Sequence, residues 1–423
     1  MRKLILADRL FDGIDGRVRP GCGVLIKGAL IASVGSRGEL MQDLDPTAEI
    51  IDLGDACLAP GLIDSHTHVT LSGDNKTYAD MFGETDEMMA LTGVRNLGIH
   101  LSAGITSVRE HGARNKLGFA MKEGAERGYF PSPRMLVSGR PITCTGGHFH
   151  MCNEIADGPD EIRRSVRRLV HEGADYIKIM ASGGGTVGTI PGRASYSTAE
   201  LHAAVHEAHH FHKLTAAHCR AKESMVRAVD AGIDLMEHAE FLDPDEIMRF
   251  DPDLAKKMAE SGIWISPTLQ ASTRYYRIVA LRDKRDAGTF SAGDETELGR
   301  LENRLEARLD IMRKMLDFGM KDCLVPGTDS GVQNFAFGHL DYDLQIFTQI
   351  GFTAAEALIA ATRTSADAIG MANQLGTLEA GKIADLVAFY GDPSRDILAC
   401  SRPKAVFLGG NRVGPTPPFT GQP

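Results

Sequence analysis

From Leu58 onward the chain repeats one pattern, a short apolar segment followed by a longer stretch of helical periodicity. The apolar segments end near His68, Glu110, Gly139, Met180, His218, His238, Thr268 and Asp329, which makes eight strand–helix units. Helical crossovers keep successive strands parallel and cover both faces of their sheet, so the count predicts an α/β fold of the (β/α)8, or TIM barrel, type. The linking stretches carry helix signals. Ser197-Thr198-Ala199-Glu200 reads as a capping box ahead of Leu201, Val205 and Ala208, and the Glu-, Arg- and Leu-rich stretch near 293–318 reads as a solvated outer helix.

The flanks follow a different rule. Before residue 57, apolar runs at Lys3–Ala7, Gly23–Ile26, Leu30–Val34 and Glu49–Leu53 alternate with glycine turns, which predicts a small antiparallel sheet. Near the other end, Ala384–Phe389 and Ala405–Leu408 read as strands that return to it. The expected organisation is a small β-sandwich domain built from 1–56 and 376–423, with the barrel at 57–375 between them. The proline-rich tail from Gly414 to Pro423 reads as a loose end.

With 423 residues and 43% hydrophobic content, the chain can bury a large core. A formal net charge of -10 argues against nucleic acid or an anionic membrane as the main partner, since both need a basic footprint, and leaves small molecules or peptides. The seven cysteines form no CxxC pair and read as reduced core thiols. The apolar run that opens the chain is broken by Asp8 and Arg9 before a signal-peptide core forms, and no run is long enough to cross a membrane. A cytoplasmic protein is expected.

Chemistry enters at the strand ends. In Tyr176-Ile177-Lys178-Ile179-Met180 a lysine occupies a buried-strand position, where it needs a partner. His66 and His68, two apart on one strand, leave the same face and can hold one ion together. His218 and His238 end consecutive strands and meet side by side on the rim, and Asp329 ends the last strand, where a carboxylate can bind a metal and accept a proton. Lys178 cannot ligate as an ammonium, but once desolvated its neutral amine can take up carbon dioxide and bridge two metals as a carbamate. The plainer alternatives are a lysine paired with a buried carboxylate, core histidines held by hydrogen bonds, and a turn-capping aspartate.

These segments, in this order, resemble the amidohydrolase superfamily: Ala59 to His68, Lys178 with Ser182-Gly183-Gly184-Gly185, His218, Glu237-His238, Pro326 to Ser330, and the closing stretch from Gly376 to Val387. The resemblance implies two zinc ions bridged by carboxylated Lys178 and a hydroxide. His66, His68 and Asp329 would lie on one side, with His218 and His238 on the other. Within the superfamily the chain is most similar to the imidazolonepropionase-related, prolidase-like metal carboxypeptidases. That implies cleavage of dipeptides or N-acyl amino acids with a free C-terminal carboxylate, with proline or a hydrophobic residue in last place, by a homo-oligomer.

Gly146-Gly147-His148 resembles a loop whose histidine polarises the scissile carbonyl, so His148 is the expected oxyanion donor and His150 its fallback. Arg220, two residues past His218, is expected to grip the substrate carboxylate or else to sit in a structural ion pair. In Arg274-Tyr275-Tyr276-Arg277, Tyr275 and Tyr276 are expected to wall the leaving residue. The cluster His202, His206, His209, His210 and His212 reads as solvated histidines on an outer helix. Two rival readings remain: an imidazolonepropionase-like or other cyclic-amide hydrolase, which leaves Lys178 without a task, and a metal-free binding scaffold on an old hydrolase barrel.

Overall fold

The computed structural model describes residues 2–42 and 44–414, so most of the proline-rich tail lies outside the described residues. Its strands are β1 (Arg2–Phe11), β2 (Val18–Lys27), β3 (Leu30–Ser36), β4 (Glu49–Asp52), β5 (Cys57–Pro60), β6 (Leu62–Thr67), β7 (Ile105–Glu110), β8 (Arg134–Val137), β9 (Ile177–Met180), β10 (Thr215–Ala221), β11 (Leu235–Leu242), β12 (Trp264–Ser266), β13 (Leu386–Phe389), β14 (Pro403–Leu408) and β15 (Asn411–Gly414). Seven of them, β6 to β12, fall where the repeating pattern places strands. They form two all-parallel arcs, β6-β7-β8 and β9-β10-β11-β12. Every residue of β6, β7, β9 and β11 is buried, as expected of strands covered on both faces.

Backbone hydrogen bonds link the two arcs at both edges. On one side Ile142 N–H donates to Lys178 O (2.8 Å) and Met180 N–H to Ile142 O (2.9 Å). On the other, Val325 N–H donates to Ile265 O (2.9 Å), Ser65 N–H to Pro326 O (3.2 Å) and Asp329 N–H to His66 O (2.8 Å). The eighth expected strand is thus a linking segment, 324–330, and not a regular strand. Pro326 has no N–H to give a ladder, and the backbone at Gly327 is so close that a Cβ there would lie 2.5 Å from Ser266 Oγ and 2.7 Å from His66 Cβ.

Helices pack outside the arcs. Ser197 caps Thr198–His210 with the reciprocal box its sequence predicts. The long helix Ala292–Asp317 is not wholly solvated: Leu298, Leu301, Leu305, Arg308, Met312 and Met315 form a buried stripe at three- and four-residue spacing. Among the described residues, no helix is long and apolar enough to cross a membrane.

The flanking strands correct two expectations. They form one continuous eight-stranded sheet where a two-sheet sandwich is expected, and that sheet is mixed where an antiparallel one is expected. β1 pairs antiparallel with β2 but parallel with β4 and β5. At ten residues, β1 is long enough to pair β4 along Lys3–Leu6 and β5 along Arg9–Leu10. β13 joins the far end of the chain to this sheet by pairing antiparallel with β5. The sheet rolls on itself: Ile31 N–H donates to Lys382 O (2.8 Å), Ala384 N–H donates to Ala29 O (2.9 Å), and Val24, Ile26, Leu386 and Phe407 share one apolar cluster.

Candidate active site

His66, His68, Lys178, His218, His238 and Asp329 converge at the C-terminal ends of the parallel strands, on a cavity of about 490 Å³ that all six line. His66 and His68 direct Nε2 at the same Asp329 Oδ1, at 3.2 and 3.4 Å. His238 Nε2 lies 2.8 Å from His218 Nδ1. His66, His238 and Asp329 offer ligand atoms that all fall within 4.8 Å of one another. His238, Thr268 and Asp329 hold left-handed backbone angles, φ 67°, 45° and 55°, a cost for residues other than glycine that concentrates where side chains must be aimed.

The partners of the imidazoles decide which nitrogens face the centre. His66 Nδ1–H donates to Glu237 Oε2 (2.7 Å), His238 Nδ1 meets Thr268 Oγ1 (2.8 Å), and His218 Nε2–H donates to Gly183 O (3.1 Å). His66 Nε2, His238 Nε2 and His218 Nδ1 are then the ring nitrogens aimed inward, the atoms that would bind a metal once free of protons. At 2.8 Å the two nitrogens share a proton, His238 Nε2–H donating to His218 Nδ1, or a cation that takes the proton's place. Below them the Lys178 ammonium is 1% exposed and has no hydrogen-bond partner among the described residues; the nearest carboxylate oxygen, Glu237 Oε1, is 3.9 Å away. The donor set fits a cation, and the orphaned lysine fits modification into an anionic ligand.

Charge around the centre is skewed by burial. Burial, opposed by Glu237, pushes the Lys178 ammonium down to about 8. For His66 burial works downward too, but Glu237 and Asp329 outweigh it and hold the imidazole up at about 9. Burial opposes charge on Asp329, yet His66 and His68 keep its carboxyl well below the usual range. His148 is driven down to about 3 by burial and is neutral.

Of the remaining predicted residues, His148 lines the cavity and His150 does not. Thr186 Oγ1 accepts from Phe149 N–H (3.1 Å) and lies 2.8 Å from His148 Nδ1, which fixes the ring and leaves Nε2 toward the cavity. The ring packs so closely on Gly184 that a Cβ there would lie 2.5 Å from Nε2. Arg220 lines the cavity while Nε and Nη2 both bond Glu240 Oε2 at 2.9 Å, so the structural ion pair exists and one edge of the guanidinium remains.

Tyr275 and Tyr276 are the correction: neither lines the cavity. The expected loop folds as two short helices, Leu269–Thr273 and Tyr275–Asp286, with Arg274 between them at φ 56°. This turns Tyr275 to Gln345 and Tyr342 and sets Tyr276 edge-on to Phe335, while Arg274 reaches the cavity. His202, His206, His209 and His210 are exposed on helix Thr198–His210 and His212 is exposed just beyond it, apart from the site.

Sequence reasoning missed the support beneath the candidate ligands. Glu237 is fully buried among His66, Lys178 and His111, and its position beside His238 in an all-buried strand was the available signal. His66, His111 and Glu237 also bring ligand atoms within 4.8 Å of one another, but His111 Nε2 is 2.8 Å from Ser65 O and Nδ1 faces Tyr176 Oη (3.1 Å), so both its nitrogens are engaged within the chain. The Arg109 guanidinium lies 3.9 Å over the Tyr176 ring, with no hydrogen-bond partner among the described residues. Glu240 and Arg304 gave no local signal.

A sequence profile of the amidohydrolase family matches residues 57–413. An ochratoxinase of Aspergillus niger is 27% identical over 95% of this chain and 84% of that protein. An imidazolonepropionase of Solibacter usitatus is 25% identical over 94% of this chain and 90% of that protein. Among solved structures, a Xaa-Pro dipeptidase with methionine in its active site superposes with a TM-score of 0.81 at 26% identity, covering 98% of this chain and all of that one. A prolidase complexed with N-methylphosphonate-L-proline gives 0.80 at 26% identity over 98% and 99%.

Proposed function

The chain belongs to the amidohydrolase family and is a metal-dependent amidohydrolase acting on C–N bonds, and from that premise we propose that it cleaves the amide bond of dipeptides or N-acyl amino acids carrying a free C-terminal carboxylate. The two parallel arcs and segment 324–330 are read as a single (β/α)8 barrel, with the rolled mixed sheet as a second domain. His66, His68 and Asp329 would hold one zinc ion, His218 and His238 a second, and Lys178, carboxylated on Nζ, would bridge them. Such ions, when bound, supply a nucleophilic water at neutral pH and polarise the scissile carbonyl.

The chain's own groups do the rest. Asp329 takes a proton from the attacking water at its carboxylate and passes it to the leaving nitrogen. His148, neutral and tied at Nδ1, donates from Nε2 to the oxygen on which charge develops. Arg220 offers its free edge to the substrate carboxylate. Tyr78, Phe149, Val187 and Phe335 give the cavity an apolar lining suited to a hydrophobic acyl group.

The observation that carries this reading is the buried Lys178 amine, without a hydrogen bond among the described residues and with Glu237 no nearer than 3.9 Å, beside inward-facing histidines. A cyclic-amide hydrolase with a single ion gives that lysine no task, and a metal-free scaffold gives no reason for six residues of metal-ligand type to converge on one cavity. The test is a library of dipeptides and their C-terminal amides offered to zinc-loaded protein, starting with proline and hydrophobic leaving residues as the structural likeness to Xaa-Pro dipeptidases suggests. Preference for free acids over amides supports the reading. Equal turnover of both, or turnover of cyclic amides alone, overturns it.

A further inference from the structure

One wall of the cavity carries more positive charge than its own chain neutralises. Arg220, Arg274 and Arg304 line it, and Glu240 is the one carboxylate among the cavity-lining residues on that side. Glu240 is already engaged by Arg220 and lies in the field of Arg308, a buried guanidinium whose Nη1 donates to Ala239 O (2.7 Å). Among the described residues, neither Arg274 nor Arg304 has a carboxylate within ion-pair distance. Arg304 spends only Nε, on Ser272 O (2.5 Å), so the fork of its guanidinium is free. Glu246 acts on Arg220 from outside the cavity lining, and Arg300, one helical turn before Arg304, adds a further cation.

The placement is built. Arg274 is aimed by a left-handed hinge between two helices, φ 56°, and Arg304 projects from helix Ala292–Asp317 through its bond to the first of those helices. Partial burial, with the neighbouring Arg220, Arg274 and Arg300, holds the Arg304 guanidinium below its usual range in spite of Glu240, which these cations share. A monoanionic amino acid satisfies Arg220 and leaves two cations facing its side chain. A hydrophobic or prolyl side chain placed there would desolvate both with no return.

We propose that Arg274 and Arg304 form a receptor for a second carboxylate on the leaving residue, so that the preferred substrates end in glutamate or aspartate. The inference rests on the peptide-cleaving reading above. It assigns Arg220 to the α-carboxylate and the Arg274–Arg304 pair to the side-chain carboxylate, and it selects glutamate and aspartate over their neutral isosteres glutamine and asparagine.

The experiment compares kcat/KM of the zinc-loaded enzyme for Leu-Glu, Leu-Gln, Leu-Leu, Leu-Pro and Glu-Leu, with calorimetric binding of free L-glutamate and L-glutamine as a readout independent of turnover. Leu-Glu is expected to exceed Leu-Gln by about ten- to a hundredfold, the range of one charge-assisted hydrogen-bonded pair, and glutamate to bind more tightly than glutamine. In Arg304→Glu and Arg274→Glu the Leu-Glu to Leu-Gln ratio should fall to one or below, while Arg304→Lys keeps most of it. Leu-Gln, Leu-Leu or Leu-Pro matching Leu-Glu would overturn the inference and leave the peptidase reading intact. Preference for Glu-Leu would also overturn it, by placing the charge on the acyl side. Turnover of none of the five overturns the peptidase reading itself, and the inference with it.

Discussion

Replacing Glu237 by glutamine removes one charge from beneath the proposed metal site without changing shape. Its Oε2 accepts from His66 Nδ1 at 2.7 Å and its Oε1 lies 3.9 Å from Lys178 Nζ and 3.3 Å from His111 Nε2, all fully buried. The amide oxygen can still accept from His66, so the ring keeps its orientation, but the buried cations lose their counter-charge. Breaking a buried pair from one side costs about 3–5 kcal/mol, and the retained hydrogen bond sets the expectation at the lower end, about 3 kcal/mol in the metal-free protein. For a chain of 423 residues that lowers the melting midpoint by roughly 3 °C, since the unfolding entropy scales with length. Metal affinity should fall about 10- to 100-fold, the usual cost of losing the partner that tunes a ligating histidine. The affinity comparison belongs above pH 9, because burial, outweighed by Glu237 and Asp329, leaves His66 up at about 9 and a bound proton competes with the metal below that, whereas the melts belong near pH 7, where His66 and Lys178 are both charged. Chelator-competition titrations and thermal melts of the apoprotein measure both effects. An affinity within twofold of the parent and an unmoved midpoint would refute this account of Glu237.

Three further perturbations separate the roles. Lys178→Ala should reduce zinc from two equivalents per chain and abolish turnover, with partial rescue by short carboxylic acids; full metal content and activity in the variant would end the bridging role. His148→Asn should lower kcat about 100- to 1,000-fold with little change in KM, because it removes a donor used where charge develops, and unchanged kcat would remove it from the reaction. Burial pushes the Asp343 carboxyl up to about 8, so it is neutral in the fold while it accepts from Gln270 N–H. A folded value raised above the unfolded one gives stability that is full below about pH 4 and lost as pH rises through about 8. Asp343→Asn should therefore flatten that loss in chemical-denaturation midpoints taken from pH 4 to 9, and an unchanged slope would show that the carboxyl is ionised in the fold.

What the sequence determined by itself was everything carried by local pattern. Strand–helix alternation predicts the parallel strands because crossovers and buried faces are read residue by residue, and the ligand types at strand ends are legible because His66, Lys178, His238 and Asp329 stand out against apolar runs. What only the tertiary structure decided was long-range partnership. Pairing β1 parallel to β4 and β5 made one rolled mixed sheet where a sandwich was expected, since register between distant strands leaves no local trace. A helix break at Arg274 turned Tyr275 and Tyr276 away and brought an arginine in, and Arg220 met Glu240 across two strands. Glu237 gained its role from His66 and Lys178 on two other strands and His111 just past a third, so its charge has meaning only once the arcs assemble. Periodicity follows from covalent neighbours, whereas a site's electrostatics follow from which strand ends the closing fold sets side by side.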